Sequence, residues 1–145
     1  MHSETSANDS PSAACLCASL RKAARSVTLL YDARLKPSGL TITEYSMLAN
    51  ISRNPGGTVA NLAKILVMDQ TTATRNLQRL KKKGYVRLEA SADDRRMKRV
   101  AIDALGADML ERARPLWLRA QEELAGKLGG LGFDLLLRSL QSVIG

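Results

Sequence analysis

Apolar residues recur every three or four positions from Leu16 through Leu20, Ala23, Ala24, Val27, Leu30 and Tyr31 to Leu35. This is the period of a single helical face. Pro37-Ser38-Gly39 stops that helix, since proline and glycine break the pattern. The next stretch, TITEYSMLANISRNPGG, opens with Thr41 and, three residues on, Glu44, a capping-box pattern at a helix start. Its helix runs to Arg53 and ends before Asn54-Pro55-Gly56-Gly57. VANLAKIL, from Val59 to Leu66, forms a third, short helix, and VMD a brief turn.

The fourth helix has the clearest two-sidedness. Ala73, Leu77 and Leu80 lie within about 40° of one direction, and Thr71, Arg75, Gln78, Arg79 and Lys82 take the opposite face. Asp69 suits the N-cap and Gly84 the residue just past the end. In YVRLEASADDRRMKRVAID, apolar and polar residues alternate at Val86-Arg87-Leu88 and again at Val100-Ala101-Ile102. Two strands around a polar loop are therefore expected. After Gly106 a long helical pattern continues to Leu128, which Pro115 should kink or break. GGLG separates it from a last amphipathic helix, Phe133 to Val143. The fold class is mainly α with a small β-hairpin wing, in a single domain over residues 15–145 of the 145-residue chain.

Composition sharpens this picture. Aromatic residues make up 3% of the chain and hydrophobic residues 45%, so the core must be aliphatic, which favours helices. No apolar run approaches the roughly 20 residues of a membrane span. The N-terminal MHSETSANDSPSA lacks the apolar segment of a secretory signal. Residues 1–14 therefore read as a flexible tail on a cytoplasmic protein, with His2 an incidental member. An enzyme would need a base, yet there is no histidine in a folded element, no glycine-rich phosphate loop and no paired-acid site. No catalytic residue is assigned.

Charge is unevenly spread. Eleven basic and four acidic residues between Lys64 and Arg99 place +7 of the net +8 in a quarter of the chain. A polyanionic partner is expected there. Helix, short turn, amphipathic helix and charged hairpin is the layout of a winged helix-turn-helix, here residues 58–103. A recognition helix enters the major groove end-on, so its first turns need short side chains. Thr71, Thr72 and Thr74 offer hydroxyls to bases or phosphates and methyls to thymine, and Arg75 and Gln78 reach further. Gln70, Arg79 and Lys82 complete the DNA-binding set, with Lys81, Lys82 and Lys83 along the groove wall, where they add affinity without reading sequence.

With those residues in place, the chain resembles the MarR family of dimeric bacterial transcription regulators. The resemblance covers residues 20 to 130. It rests on GLTITEYSMLANI, TVANLAKILVMDQTTATRNLQRLKKKGYVRL, the wing DDRRMKRVAID and ALGADMLERARPLW. It implies a homodimer joined by its first and last helices, residues 15–36 and 104–145, that represses a promoter. Release would follow a small phenolic or aromatic effector, thiol oxidation or, less commonly, metal. Family wings commonly read Asp-x-Arg-Asp-x-Arg, whereas this chain has Ser91-Ala92-Asp93-Asp94-Arg95-Arg96. Asp94 and Arg96 match the second half; Ser91 and Asp93 depart from the first. The minor-groove role of the family's wing arginine passes to Arg95 or Arg96, and the internal Asp–Arg tie is left open.

Cys15 and Cys17 admit three readings. On a regular helix they point about 200° apart, and they then simply pack as small apolar side chains. At a frayed helix start they could converge, and two pairs across a dimer would offer four thiolates to zinc or an iron–sulfur cluster. Alternatively, one thiol senses oxidants or electrophiles. Trp117 reads as core or interface packing. Tyr45 packs too, or lines an effector pocket between the dimer helices and the winged region. The resulting function is a sequence-specific dimeric regulator of a pseudo-palindromic duplex. Its rivals are a sequence-neutral architectural DNA-binding protein and a regulator acting mainly through protein contacts.

Overall fold

A computed structural model of the chain describes residues 14–145. The polar tail, His2 included, lies outside the described residues except for Ala14, which is exposed. The element order is α1 (Leu16–Leu35), a 3-10 turn (Lys36–Ser38), α2 (Ile42–Arg53), α3 (Val59–Ile65), α4 (Gln70–Lys82), β1 (Val86–Ala90), β2 (Lys98–Ile102), α5 (Ala104–Leu128) and α6 (Gly130–Ile144). Among the described residues no helix is long and apolar enough to cross a membrane.

Local chemistry explains most boundaries. Thr41 and Glu44 form the expected reciprocal capping box at the start of α2, satisfying backbone donors that have no partner within the helix. Thr58 accepts the Asn61 N–H at the start of α3. The two short helices end alike: Met68 N–H bonds to Ala63 O and Val67 N–H to Lys64 O, as Tyr85 N–H bonds to Leu80 O and Gly84 N–H to Lys81 O. Both are Schellman stops, which place their pivotal residue in the left-handed region. Gly84 does so with φ +80° and Val67 with φ +51°.

The core lies where α2, α3, α4, the hairpin and α5 converge. Met47, Leu48, Leu77 and Leu80 are fully shielded, joined by Ile51, Val86, Val100 and Leu110. Burying each large aliphatic side chain contributes about 1.5–3 kcal/mol. β1 and β2 pair antiparallel from Val86 opposite Ile102 to Ala90 opposite Lys98. Thr58 bridges to Arg99 and Gly57 O accepts the Val100 N–H, so the start of α3 continues the hairpin's edge.

Three sequence expectations give way. α5 begins at Ala104, not after Gly106, because Gly106 sits inside its first turn against the Tyr85 backbone; an added Cβ would meet Tyr85 O at 2.1 Å. Pro115 does not break α5; it and Glu111, whose carbonyl loses its donor, both face solvent. GGLG is not a spacer. Only Gly129 leaves the helical conformation, at φ 74° and ψ 148°, and α6 starts at Gly130.

The outer helices are incompletely covered. α6 buries none of its residues although it carries Leu131, Leu135, Leu136, Leu137, Val143 and Ile144. α1 buries only Tyr31 and Leu35. Arg34 pairs with Glu123 at 2.8 Å, and the Tyr31 hydroxyl donates to Gln121. These bonds hold α1 along α5.

Candidate nucleic-acid interface

α4 separates its two faces as its sequence requires. Ala73, Leu77 and Leu80 have no exposure at all. Thr71, Arg75, Gln78 and Lys82 form an exposed stripe at spacings of three and four, flanked by Thr74 and Arg79. Among the described residues, the side chains of Gln70, Thr71, Thr74, Arg75, Gln78, Arg79 and Lys82 carry no internal hydrogen bond or ion pair. Gln70, Thr71, Thr74 and Arg75 line one shallow depression at the start of the helix.

Thr72 is tied to the helix cap. Asp69 caps α4 with one oxygen on the Thr72 N–H at 2.8 Å and the other accepting the Thr72 hydroxyl at 2.7 Å. These bonds hold the Asp69 carboxyl below the usual carboxylate range. The Thr72 hydroxyl hydrogen is thus committed to the cap rather than free for a base edge.

The basic window also divides. The Lys83 ammonium meets Glu44 Oε2 at 2.6 Å. Arg87 bridges Glu89 at 2.7 Å and Asp103 at 2.6 Å. The Arg99 guanidinium donates to Gly56 O. Lys83 thus has an internal carboxylate partner, while Lys81 and Lys82 stand exposed beside it.

At the wing tip, Asp94 Oδ1 accepts the Arg96 backbone N–H at 2.9 Å, and Asp94 O accepts the Met97 N–H at 3.0 Å. Ser91 is buried, and its N–H donates to Met97 O at 2.8 Å. Among the described residues Asp93 and Asp94 make no ion pair. The loop is steadied through its backbone, and the Arg95 and Arg96 guanidinium groups stand exposed with no partner among the described residues.

A cleft of about 450 Å³ lies between α1, α2 and α5, lined by Tyr31, Ile42, Tyr45, Ser46, Arg53, Arg114 and Trp117 among others. Tyr45 does line it, with its ring stacked on Trp117. Burial pushes the Tyr45 hydroxyl pKa up, and Arg114 and Arg53 partly offset this. Arg53 and Arg114 escape sequence reasoning: they sit on separate helices, and no local pattern links them.

Cys15 and Cys17 are both exposed. Cys15 holds the N-cap position of α1 in an extended conformation with no side-chain cap bond; its carbonyl accepts the Ser19 N–H at 3.0 Å, and Cys17 lies within the first turn. Among the described residues, no group of three or more His, Cys, Asp or Glu side chains could hold a metal ion.

Residues 38–97 match the model of the MarR family. The chain is similar to the Mycobacterium tuberculosis transcriptional regulator MosR in complex with DNA, at 37% identity, with 90% of this chain and 94% of that one covered and a TM-score of 0.82. It is also similar to the transcriptional repressor CouR bound to a 23-mer DNA duplex, at 26% identity over 90% and 93% of the two chains, with a TM-score of 0.83. A mutant Escherichia coli MarR complexed with operator DNA matches at 25% identity over 90% and 94%, with a TM-score of 0.81. Helix order, hairpin wing and these likenesses agree: the chain belongs to the MarR family and is a DNA-binding transcription regulator, not an enzyme.

Proposed function

We propose that the protein is a homodimeric, sequence-specific repressor that reads a pseudo-palindromic operator and releases it on a chemical signal. The observation that carries this reading is the stripe on α4: polar side chains that are exposed and, among the described residues, unpaired, on a helix whose other face is fully buried. Thr71, Thr74, Arg75 and Gln78, with Gln70, read base edges in the major groove. Arg79, Lys81 and Lys82 hold phosphates, and Arg95 or Arg96 enters the minor groove. The solved DNA complexes of MosR, CouR and the MarR variant support DNA as the partner.

The uncovered faces of α6 and α1 support dimerisation through those helices. An exposed row of leucines is unfavourable in water unless a second surface covers it, and half-sites about one helical turn apart would then match the dimer. The cleft supports an effector site. Its aromatic walls and the Arg53 and Arg114 guanidinium groups suit an anionic aromatic molecule.

A second signal route is favoured by one observation: both Cys15 and Cys17 are exposed at the first turn of α1, on a helix assigned to the dimer. Oxidation, or metal binding by the paired thiols of two chains, would rearrange that turn. The test is a gel shift on the DNA upstream of its own gene with wild type and a Cys15→Ser, Cys17→Ser double variant, each with peroxide or zinc. Wild-type DNA binding that changes while the double variant's does not supports the thiol route. No preference for the upstream duplex over a scrambled one overturns the repressor reading itself.

A further inference from the structure

We propose that Glu44 and Lys83 are a positioning pair that fixes the tilt of the recognition helix, and that Lys83 is not a phosphate contact. The inference rests on the reading of α4 as the DNA-reading element.

Glu44 divides its two carboxylate oxygens between two helices. Oε1 accepts the Thr41 backbone N–H at 3.3 Å and the Thr41 hydroxyl at 3.2 Å, closing the cap of α2. Oε2 accepts the Lys83 ammonium at 2.6 Å. The Glu44 side chain is 17% exposed and that of Lys83 42%. The receiving end of this bond is itself braced: Asp32 Oδ1 on α1 accepts the Ile42 N–H at 2.7 Å, in the same first turn of α2.

The delivering end is braced as well. Lys83 is the C-cap of α4, its N–H bonded to Arg79 O at 3.1 Å, and Gly84, whose N–H bonds to Lys81 O, follows in the left-handed conformation. A cation at a helix C-terminus also complements the dipole there. The pair therefore joins the capped first turn of α2 to the last turn of α4.

Leverage makes the position matter. α4 spans 13 residues, roughly 20 Å at 1.5 Å per residue, so a rotation of about 5° at Lys83 moves the Thr71 end by nearly 2 Å. Base-edge hydrogen bonds form only over about 2.7–3.2 Å, so such a shift would unmake them. Contacts to phosphates, which are spread along the duplex and tolerate displacement, would suffer less.

A double-variant cycle tests this. Binding of the upstream duplex and a scrambled duplex is followed by fluorescence anisotropy across a salt series for Glu44→Gln, Lys83→Met and both together. Glutamine retains the capping acceptor, so Glu44→Gln should stay folded, with a melting temperature lowered by no more than about 4 °C for the loss of one part-exposed ion pair. Each single variant should lose about fivefold in preference for the upstream duplex, the pair should lose no more than either alone, and the salt dependence should stay constant. Lys83→Arg should restore the preference. Equal weakening on both duplexes with a shallower salt dependence for Lys83→Met, or independent losses in the double variant, would overturn the proposal and make Lys83 a phosphate contact. Arg75→Ala serves as the control. If wild type and Arg75→Ala both lack preference, the reading of α4 fails and this inference with it. If only the cycle is additive, this inference alone falls.

Discussion

The ring of Tyr45 stacks on that of Trp117, with centroids 5.7 Å apart and planes 19° from parallel, tying α2 to α5 across the head of the cleft. Burial pushes the hydroxyls of both Tyr45 and Tyr31 above their ordinary value of 10.0. The native state therefore holds these protons more tightly than the unfolded chain. Stability from them is complete below pH 10 and is lost as pH rises through the folded pKa values. Urea titrations followed by Trp117, the single tryptophan, should show a fall in midpoint above pH 10. The fall should be shallower in Tyr45→Phe and Tyr31→Phe.

Gly106 allows no side chain, because a Cβ would lie 2.1 Å from Tyr85 O and 2.9 Å from its carbonyl carbon. Both obstructing atoms are backbone, so the hairpin or the start of α5 must move. Gly106→Ala should cost about 3 kcal/mol or more, above the usual range for overpacking. Chemical denaturation checks this. A loss within 0.5 kcal/mol or so, as for ordinary surface changes, would contradict the close approach.

Val67 presents the reverse case. Its φ of +51° and 72% exposure place a β-branched residue where glycine is at ease, with little packing to compensate. Val67→Gly should raise stability by about 1 kcal/mol, the left-handed penalty for an L-residue less the added freedom of the unfolded chain. A thermal melt showing a lower midpoint would mean that the valine packs usefully.

Arg75 and Lys82 share the exposed stripe but should differ in effect. Arg75→Ala should weaken the specific complex by about 1–3 kcal/mol and relax base preference, whereas Lys82→Ala should weaken all duplexes alike and lower the salt slope by about 1. Gel shifts with operator point variants separate the two. Equal losses for Arg75→Ala on specific and random duplexes would refute the division.

How much of this was legible in the sequence follows from the range of the interactions. α4 could be read because its signals are local: the Asp69 cap, the spacing of Ala73, Leu77 and Leu80, and Gly84 just beyond its end. The capping box of α2 was equally visible in Thr41 and Glu44. The second function of that same Glu44, its bond to Lys83, joins residues 39 apart and leaves no periodic trace. Lys83 therefore read as one more groove-wall lysine. Thr72 read as a base contact because threonine serves equally as cap partner and DNA ligand, and only the geometry at Asp69 separates the roles. Gly106 read as lying just before the helix, since its close approach to Tyr85 exists only once the hairpin has folded. The cleft needed three helices in place before Arg53 and Arg114 could face Tyr45 and Trp117.

The central claim is best tested by titrating the purified protein onto the duplex upstream of its gene and onto a scrambled duplex, measuring affinity and stoichiometry together by anisotropy and analytical ultracentrifugation. Two chains should bind one upstream duplex about 10³-fold or more tighter than the scrambled one, with affinity falling steeply as salt rises. A monomer that binds neither duplex at low ionic strength would contradict the account.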